Sequence, residues 1–222
     1  MRIRYLKNTP DILAASPFAV TEPQQYRGEW RARMTETMPQ PPQRLYIEIG
    51  CGKGGFIRDM ARLHPQDAFL GLEKFSTILA RAVQRPDPER DHNLLLLRAD
   101  AEDLADILAP GEVDGIYLNF SDPWPKERHE KRRLTSDRFL PLYAQVLSPQ
   151  GFLRFKTDNE SLFRYSEESL VKAGWTIRAR TEDLHAEGEP LAAGNIRTEY
   201  ETNFLEAGKR ICCLEATPVR PA

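Results

Sequence analysis

Short blocks of consecutive apolar residues punctuate the chain, each closed by Gly, Pro, Asp or Asn, and between them apolar positions recur at helical spacing. The blocks Leu45–Ile49, Ala68–Leu72, Leu94–Leu97, Val113–Leu118 and Phe152–Phe155 predict buried strands, followed by two more at Trp175–Arg180 and Arg210–Ala216. Helices are predicted at about Gly55–Leu63, Ser76–Gln84, Ala101–Leu108, Ser136–Leu147 and Ser161–Ala173. Such alternation means right-handed βαβ units, hence an α/β fold with a mostly parallel seven-stranded sheet and helices on both faces. The last strand follows a stretch that reads as irregular rather than helical, so it is expected to insert antiparallel. Residues 1–44 read as a basic N-terminal arm with a short helical piece around Glu29–Thr37, ending in Pro39, Pro41 and Pro42. Residues 45–217 read as the folded domain and 218–222 as a C-terminal tail.

Composition narrows the class. The 222 residues are 41% hydrophobic and 29% charged, which suits a globular domain. No apolar run approaches the ~20 residues of a membrane helix. Met1 to Lys7 is basic with no apolar stretch behind it, so no secretory leader is expected. The cysteines, Cys51, Cys212 and Cys213, are odd in number, which excludes a disulfide framework and suggests a cytoplasmic setting. No CxxC or HExxH is present, so no metal is expected. The net charge of -2 decides nothing, but its distribution is uneven. Residues 101–115 carry five acids and no base, and residues 182–206 seven acids and one base, while Lys126–Arg133 packs five bases against two acids. Segregated signs suit a protein that binds a cation at one place and a polyanion at another.

Ligands in open α/β sheets bind beyond the carboxyl ends of the strands, so the residues after each strand carry the argument. After the first strand comes Glu48-Ile49-Gly50-Cys51-Gly52-Lys53-Gly54-Gly55, in which Gly50, Gly52 and Gly55 satisfy G-x-G-x-x-G. Glu73 ends the next strand at the spacing where a carboxylate meets a ribose diol. A dinucleotide and S-adenosylmethionine both fit such a loop. The first would set a pyrophosphate on the helix N-terminus. The second carries a sulfonium and an ammonium and favours surrounding acids. Glu48, Glu73, Asp100 and Asp122 stand near the ends of successive strands, which favours the cationic ligand, with Asp100 placed to accept from an adenine amino group. Each acid could instead cap a helix. Cys51 reads as a small filler among glycines.

The fourth strand runs into Asn119-Phe120-Ser121-Asp122-Pro123-Trp124-Pro125-Lys126. Pro123 confines Asp122 to extended backbone and aims its carboxylate at the mouth of the sheet. The basic loop Arg128-His129-Glu130-Lys131-Arg132-Arg133 follows directly and reads as a phosphate track.

Asn-Phe-Ser-Asp-Pro-Trp-Pro-Lys with Arg-His-x-Lys-Arg-Arg-Leu-Thr resembles the bacterial tRNA (guanine-N7-)-methyltransferases. Arg154-Phe155-Lys156-Thr157-Asp158-Asn159 and Thr198-Glu199-Tyr200-Glu201 with Phe204 resemble that family's remaining signatures, and the match runs from about Tyr46 to Glu215. The resemblance implies a Rossmann-like class I fold that uses S-adenosylmethionine to methylate N7 of a guanine in the tRNA variable loop. It implies that Glu48, Gly50, Gly52, Glu73, Asp100 and Asp122 bind the cofactor and that Asp122 is also the active-site acid. Lys126, Asp158, Thr198, Glu199, Tyr200 and Glu201 would contact the substrate. Arg128, His129, Lys131, Arg132 and Arg133 would meet RNA phosphates, and no obligate protein partner is implied. Asp122, Asp158 and Glu201 are alternatives for holding the base and for stabilising migrating charge. The competing readings are an adenine-amino nucleic-acid methyltransferase and a non-catalytic RNA-binding protein on a Rossmann-like fold.

Overall fold

The computed structural model describes Leu6 and residues 8–219. In chain order the elements are α1 (Thr9–Ala15), β1 (Ala19–Val20), α2 (Trp30–Thr35), β2 (Leu45–Ile49), α3 (Gly55–Leu63), β3 (Ala68–Glu73), α4 (Ser76–Ala82), β4 (Leu94–Arg98), α5 (Leu104–Ile107), β5 (Val113–Asn119), α6 (Leu140–Val146), β6 (Leu147–Thr157), α7 (Glu160–Lys172), β7 (Trp175–Thr181), α8 (Glu199–Glu206) and β8 (Cys212–Pro218). They build one sheet in the order β1-β4-β3-β2-β5-β6-β8-β7. β1 through β6 pair in parallel, and β8 runs antiparallel between β6 and β7.

Both faces of the central strands are covered, which explains their continuous apolar runs. Leu45, Ile47 and Ile49 of β2 face one core layer with Trp30 and Met34 of α2, Leu104 of α5, Tyr143 of α6 and Leu170 of α7. Tyr46 faces the opposite layer with Leu13 of α1, Phe56, Ile57 and Met60 of α3, Leu79 of α4 and Tyr117 of β5. A smaller cluster of Leu184, Leu191, Ile211 and Cys213 lies under α8.

The seven expected strands are all present, and the two-residue β1 makes an eighth beside β4. Three expectations change. Residues 199–206, read as irregular, form α8, because Thr198 and Glu201 close a reciprocal capping box at its start. The helix expected from Ser136 starts at Leu140, which puts Pro141 in the first turn, where its missing N–H costs no helical bond. The acid-rich helix after β4 shrinks to a 3₁₀ turn at Ala101–Asp103 and the single turn of α5. No helix among the described residues is long and apolar enough to cross a membrane.

Candidate active site

The strand order reverses between β2 and β5, and the loops leaving their carboxyl ends frame the site. The glycine loop follows β2. Gly50, Gly52 and Gly54 have φ of 78°, 58° and 71°, a region in which a β-carbon is strained. A side chain at Gly50 or Gly52 would meet nothing, so the peptide edge faces open space. Gly54, outside the glycine motif read from sequence, supplies the left-handed N-cap of α3.

Sheet alternation sets the side chains around this loop. Glu48 lies on the face of Tyr46, and it pairs in register with Tyr117. Asn119, two residues beyond Tyr117, donates from its amide to Glu48 Oε1 at 2.8 Å. Glu48 is 3% exposed, and its Oε2 has no hydrogen-bond partner among the described residues. Burial pushes its carboxyl up to about 7, against the opposing pull of Asn119 and Lys156 and a weaker one from the Ile57 N–H, which lies outside hydrogen-bonding geometry.

Glu73, at the end of β3, accepts from Gly52 N at 3.1 Å and Phe75 N at 2.8 Å. It therefore fixes the glycine loop as well as facing it. Burial raises its pKa, and Asp122 adds like-charge repulsion to that rise. Glu48, Glu73 and Asp122 thus share one electrostatic locale. Asp100 is more occupied than its sequence position suggested: it caps the 3₁₀ turn through Glu102 N and pairs with Lys74. Cys51 is buried, and burial holds its thiol proton, so it fills space as expected.

Asp122 itself is exposed, on a loop with two unusual backbone positions. Phe120 and Trp124 have φ of 52° and 40°, which for such bulky residues costs of order 1–3 kcal/mol each. Phe120 is held against Phe204 of α8, ring to ring at 5.6 Å. Trp124 is met edge-on by His129 at 5.6 Å, and the Arg132 guanidinium lies 4.9 Å over its ring. Arg133 turns inward, donating from Nε to Pro123 O and from an Nη to Trp124 O, both at 3.2 Å. Two of its five donors are therefore taken up by the turn, whereas Lys126, Arg128 and Lys131 are exposed.

The residues expected to contact substrate fall into two groups. Tyr200 is 55% exposed, Glu199 bridges Lys53 of the glycine loop and Arg85, and Asp158 pairs with Lys209 at 2.5 Å. Thr198 and Glu201 are buried instead. Glu201 is 0% exposed and receives Lys156 Nζ at 2.7 Å, Asn195 Nδ2 at 2.8 Å and the His185 ring at 2.8 Å. Burial alone would raise Glu201, but Lys156 and the hydrogen bonds hold it below the usual carboxylate range. With every oxygen engaged, Glu201 acts from beneath the site. Lys156 also donates to Asn195 Oδ1 and Ile196 O, tying the 183–196 segment to β6. Sequence reasoning missed Lys156, Asn119, His185 and Asn195. Period-two alternation could have found the first two, since Asn119 pairs with Lys156 across β5 and β6 on the face of Glu48.

A parallel sheet reversing at β2/β5, an open glycine loop and a ring of acids define a class I methyltransferase. In agreement, a family model described as "Putative methyltransferase" matches residues 42–214. A tRNA (guanine-N(7)-)-methyltransferase of Lachnoclostridium phytofermentans is 44% identical over 211 residues, covering 95% of both chains. The chain belongs to the tRNA (guanine-N7-)-methyltransferase family. Among solved structures, an antibiotic-related methyltransferase superposes with a TM-score of 0.63 at 18% identity, covering 85% of this chain and 94% of its own. A tryptophan-to-alanine mutant of the 16S rRNA (adenine(1408)-N(1))-methyltransferase of Catenulisporales acidiphilia, with cosubstrate SAM, gives a TM-score of 0.57 at 14% identity, covering 90% of this chain and 93% of its own. Both likenesses speak for the fold alone.

Proposed function

We propose that this protein transfers a methyl group from S-adenosylmethionine to N7 of a guanine in the variable loop of tRNA, in the cytoplasm. The observation that carries the cofactor assignment is Glu48 Oε2, a buried carboxylate oxygen with no hydrogen-bond partner among the described residues, beside an open glycine loop. A ligand ammonium would satisfy it, whereas a pyrophosphate would be repelled by Glu48 and Glu73. In this reading Gly50 and Gly52 let the ligand approach the peptide backbone, Glu73 accepts from a ribose diol, and Asp100 from an adenine amino group. When bound, the cofactor supplies an electrophilic methyl on a sulfonium.

Guanine N7 carries an in-plane lone pair and no proton, so no general base is needed to make it a nucleophile. Bonding N7 to the methyl carbon breaks the sulfur–carbon bond and moves one positive charge from sulfur to the purine. The protein's part is to position the base and to stabilise that charge, and Asp122 stands where both can be done. In this reading Lys126, Tyr200, Glu199 and Asp158 are the side chains that touch the nucleotide. Thr198 and Glu201 hold α8 in place below them. The catalytic unit is taken as residues 45–217, with the first 44 residues packed on it through Trp30 and Met34 as far as they are described. Arg2, Arg4 and Lys7 lie outside the described residues. The reading is tested by labelled methyl transfer to bulk tRNA followed by nucleoside digestion. Label in 7-methylguanosine supports it, and label in a methyladenosine or none at all would sink it.

Two further results are expected. The Glu48 carboxyl sits at about 7 in the folded protein against an ordinary 4.5. The folded state then keeps a proton that the unfolded chain gives up, so the ligand-free protein is most stable below the ordinary value and loses stability as pH rises through 7. Denaturant midpoints across this window should slope downward in wild type and more shallowly in Glu48→Gln, where Glu73 keeps its own raised pKa. Affinity for S-adenosylmethionine should rise over the same window as Glu48 loses its proton. A slope undiminished in Glu48→Gln would assign it to another group.

The second concerns the basic loop. Arg128→Ala/Lys131→Ala should weaken tRNA binding and flatten the log–log salt dependence by roughly 1–2 units, at about 0.7–0.9 per phosphate contact. Binding of S-adenosylmethionine should be unchanged. An unaltered slope would move the RNA footprint off this loop.

A further inference from the structure

Arg133 ends the basic loop, yet its guanidinium spans the carbonyls of Pro123 and Trp124, one on each side of the Trp124 α-carbon. Its other face lies 4.2 Å from the ring centroid of Tyr165 on α7. The anchor continues two residues on, where Thr135 and Ser166 share a buried hydroxyl–hydroxyl bond of 2.7 Å and Ser166 donates to Leu162 O. The loop so held is the one with left-handed backbone at Phe120 and Trp124, with Asp122 between them. Left to itself such backbone relaxes to more favourable dihedrals, and Asp122 would swing with it. A guanidinium is suited to this place because its planar fork reaches two acceptors at fixed spacing while its face stacks on a ring; an ammonium cannot do both.

We propose that Arg133 is a positioning residue for the methyl transfer: it clamps the Asp122–Trp124 turn to helix α7 and thereby sets the active-site carboxylate. The proposal rests on the function assigned above, but part of its test does not. Four neighbours in sequence, Lys126, Arg128, Lys131 and Arg132, are exposed cations, so loss of Arg133 spares most of the local positive field.

The test uses Arg133→Gln and Arg133→Lys in the full chain, with Tyr165→Leu removing the stacking ring. Both Arg133 variants should lower kcat on the order of 10–100-fold, the scale on which small displacements of a reacting group act. The KM for tRNA and the salt slope of tRNA binding should stay at their wild-type values. Tyr165→Leu should change kcat in the same direction by less. Trp124 gives a readout independent of activity. Of the three tryptophans, Trp30 and Trp175 are 0% and 5% exposed, so iodide quenching reports on Trp124. Quenching should increase in both Arg133 variants as the turn loosens. A phosphate contact would behave differently: Arg133→Gln would flatten the salt slope by about 0.7–0.9 and Arg133→Lys would restore it, with kcat retained. That pattern, or wild-type kcat and quenching in Arg133→Lys, would overturn the clamp. Thermal melts identify any variant that fails to fold, and if Arg133→Gln fails, Arg133→Lys decides. If wild type itself transfers no methyl group, the functional reading falls while the quenching comparison still judges the clamp.

Discussion

Asp122→Ala is expected to lower kcat/KM by about 10²–10⁴ while the protein remains folded. A large loss is expected because the surrounding turn holds this group in place by several independent means. Pro123 and Pro125 stiffen it, left-handed backbone at Phe120 and Trp124 bends it, and the rings of Phe204 and His129 brace those two residues. None of these supports depends on the Asp122 side chain, which is exposed, so its removal leaves the framework standing. The carboxylate also belongs to the negative locale that raises Glu73, and that locale matches the positive charge the reaction moves. Asp122→Asn separates the two contributions, since it keeps a hydrogen-bonding side chain and loses the charge. Single-turnover methyl transfer, circular dichroism and cofactor calorimetry on both variants make the check. Turnover near wild type in folded Asp122→Ala would remove this residue from the mechanism.

Glu201→Gln is expected to cost about 3–5 kcal/mol of stability, the range for breaking a buried ion pair by removing one partner. Lys156 is 1% exposed and would be left with amide and carbonyl oxygens in place of a carboxylate. The expected counterpart is that Lys156→Met/Glu201→Leu recovers much of the loss, because it buries no unmatched charge. Guanidinium titrations of the three proteins at neutral pH measure both quantities. The pH dependence has a definite sign. Glu201 is held below the ordinary carboxylate value, so its contribution is complete above that value and fades as the solution is acidified through the lower, folded one. Wild type should therefore lose its advantage over Glu201→Gln in acid. An advantage that stayed constant down to the acid transition would detach the effect from Glu201 ionisation.

Much of this molecule is legible in its sequence, and the exceptions share a cause. The strands Leu45–Ile49 and Ala68–Glu73 announce themselves because parallel strands covered on both faces need unbroken apolar runs. The glycine loop, Glu73 and Asp122 stand out in sequence because each lies at or just beyond the end of a strand whose apolar run is plain. Helix α8 is not: among its residues only Glu201 is buried, so no apolar stripe marks it, and its capping box looks the same whether or not a helix follows. The Lys156–Glu201 contact is likewise silent, because a segment distant in sequence brings the carboxylate to the strand. His185 and Asn195 sit in an acidic stretch with no local pattern to single them out. Arg133 was misleading for the opposite reason. A run of bases looks uniform in sequence, whereas folding turns one of them inward.

The order of strands also bears on how the chain comes off the ribosome. β7 pairs with β8 and with no other strand among the described residues, and β8 also supplies the outer neighbour of β6. A nascent chain that has emerged only through Thr181 therefore carries β7 without a seat in the sheet and β6 with an open edge next to Lys156. Both wait for Cys212–Pro218, which slots in antiparallel between two strands already made. The half of the sheet that carries the glycine loop has all its strands before Cys212–Pro218 emerges, whereas the half beside α8 closes only once that strand is in place. A chain emerged only through Thr181 also has no Glu201 for Lys156 to meet, so the glycine-loop half of the sheet has its strands before the far half has either its last strand or its buried ion pair.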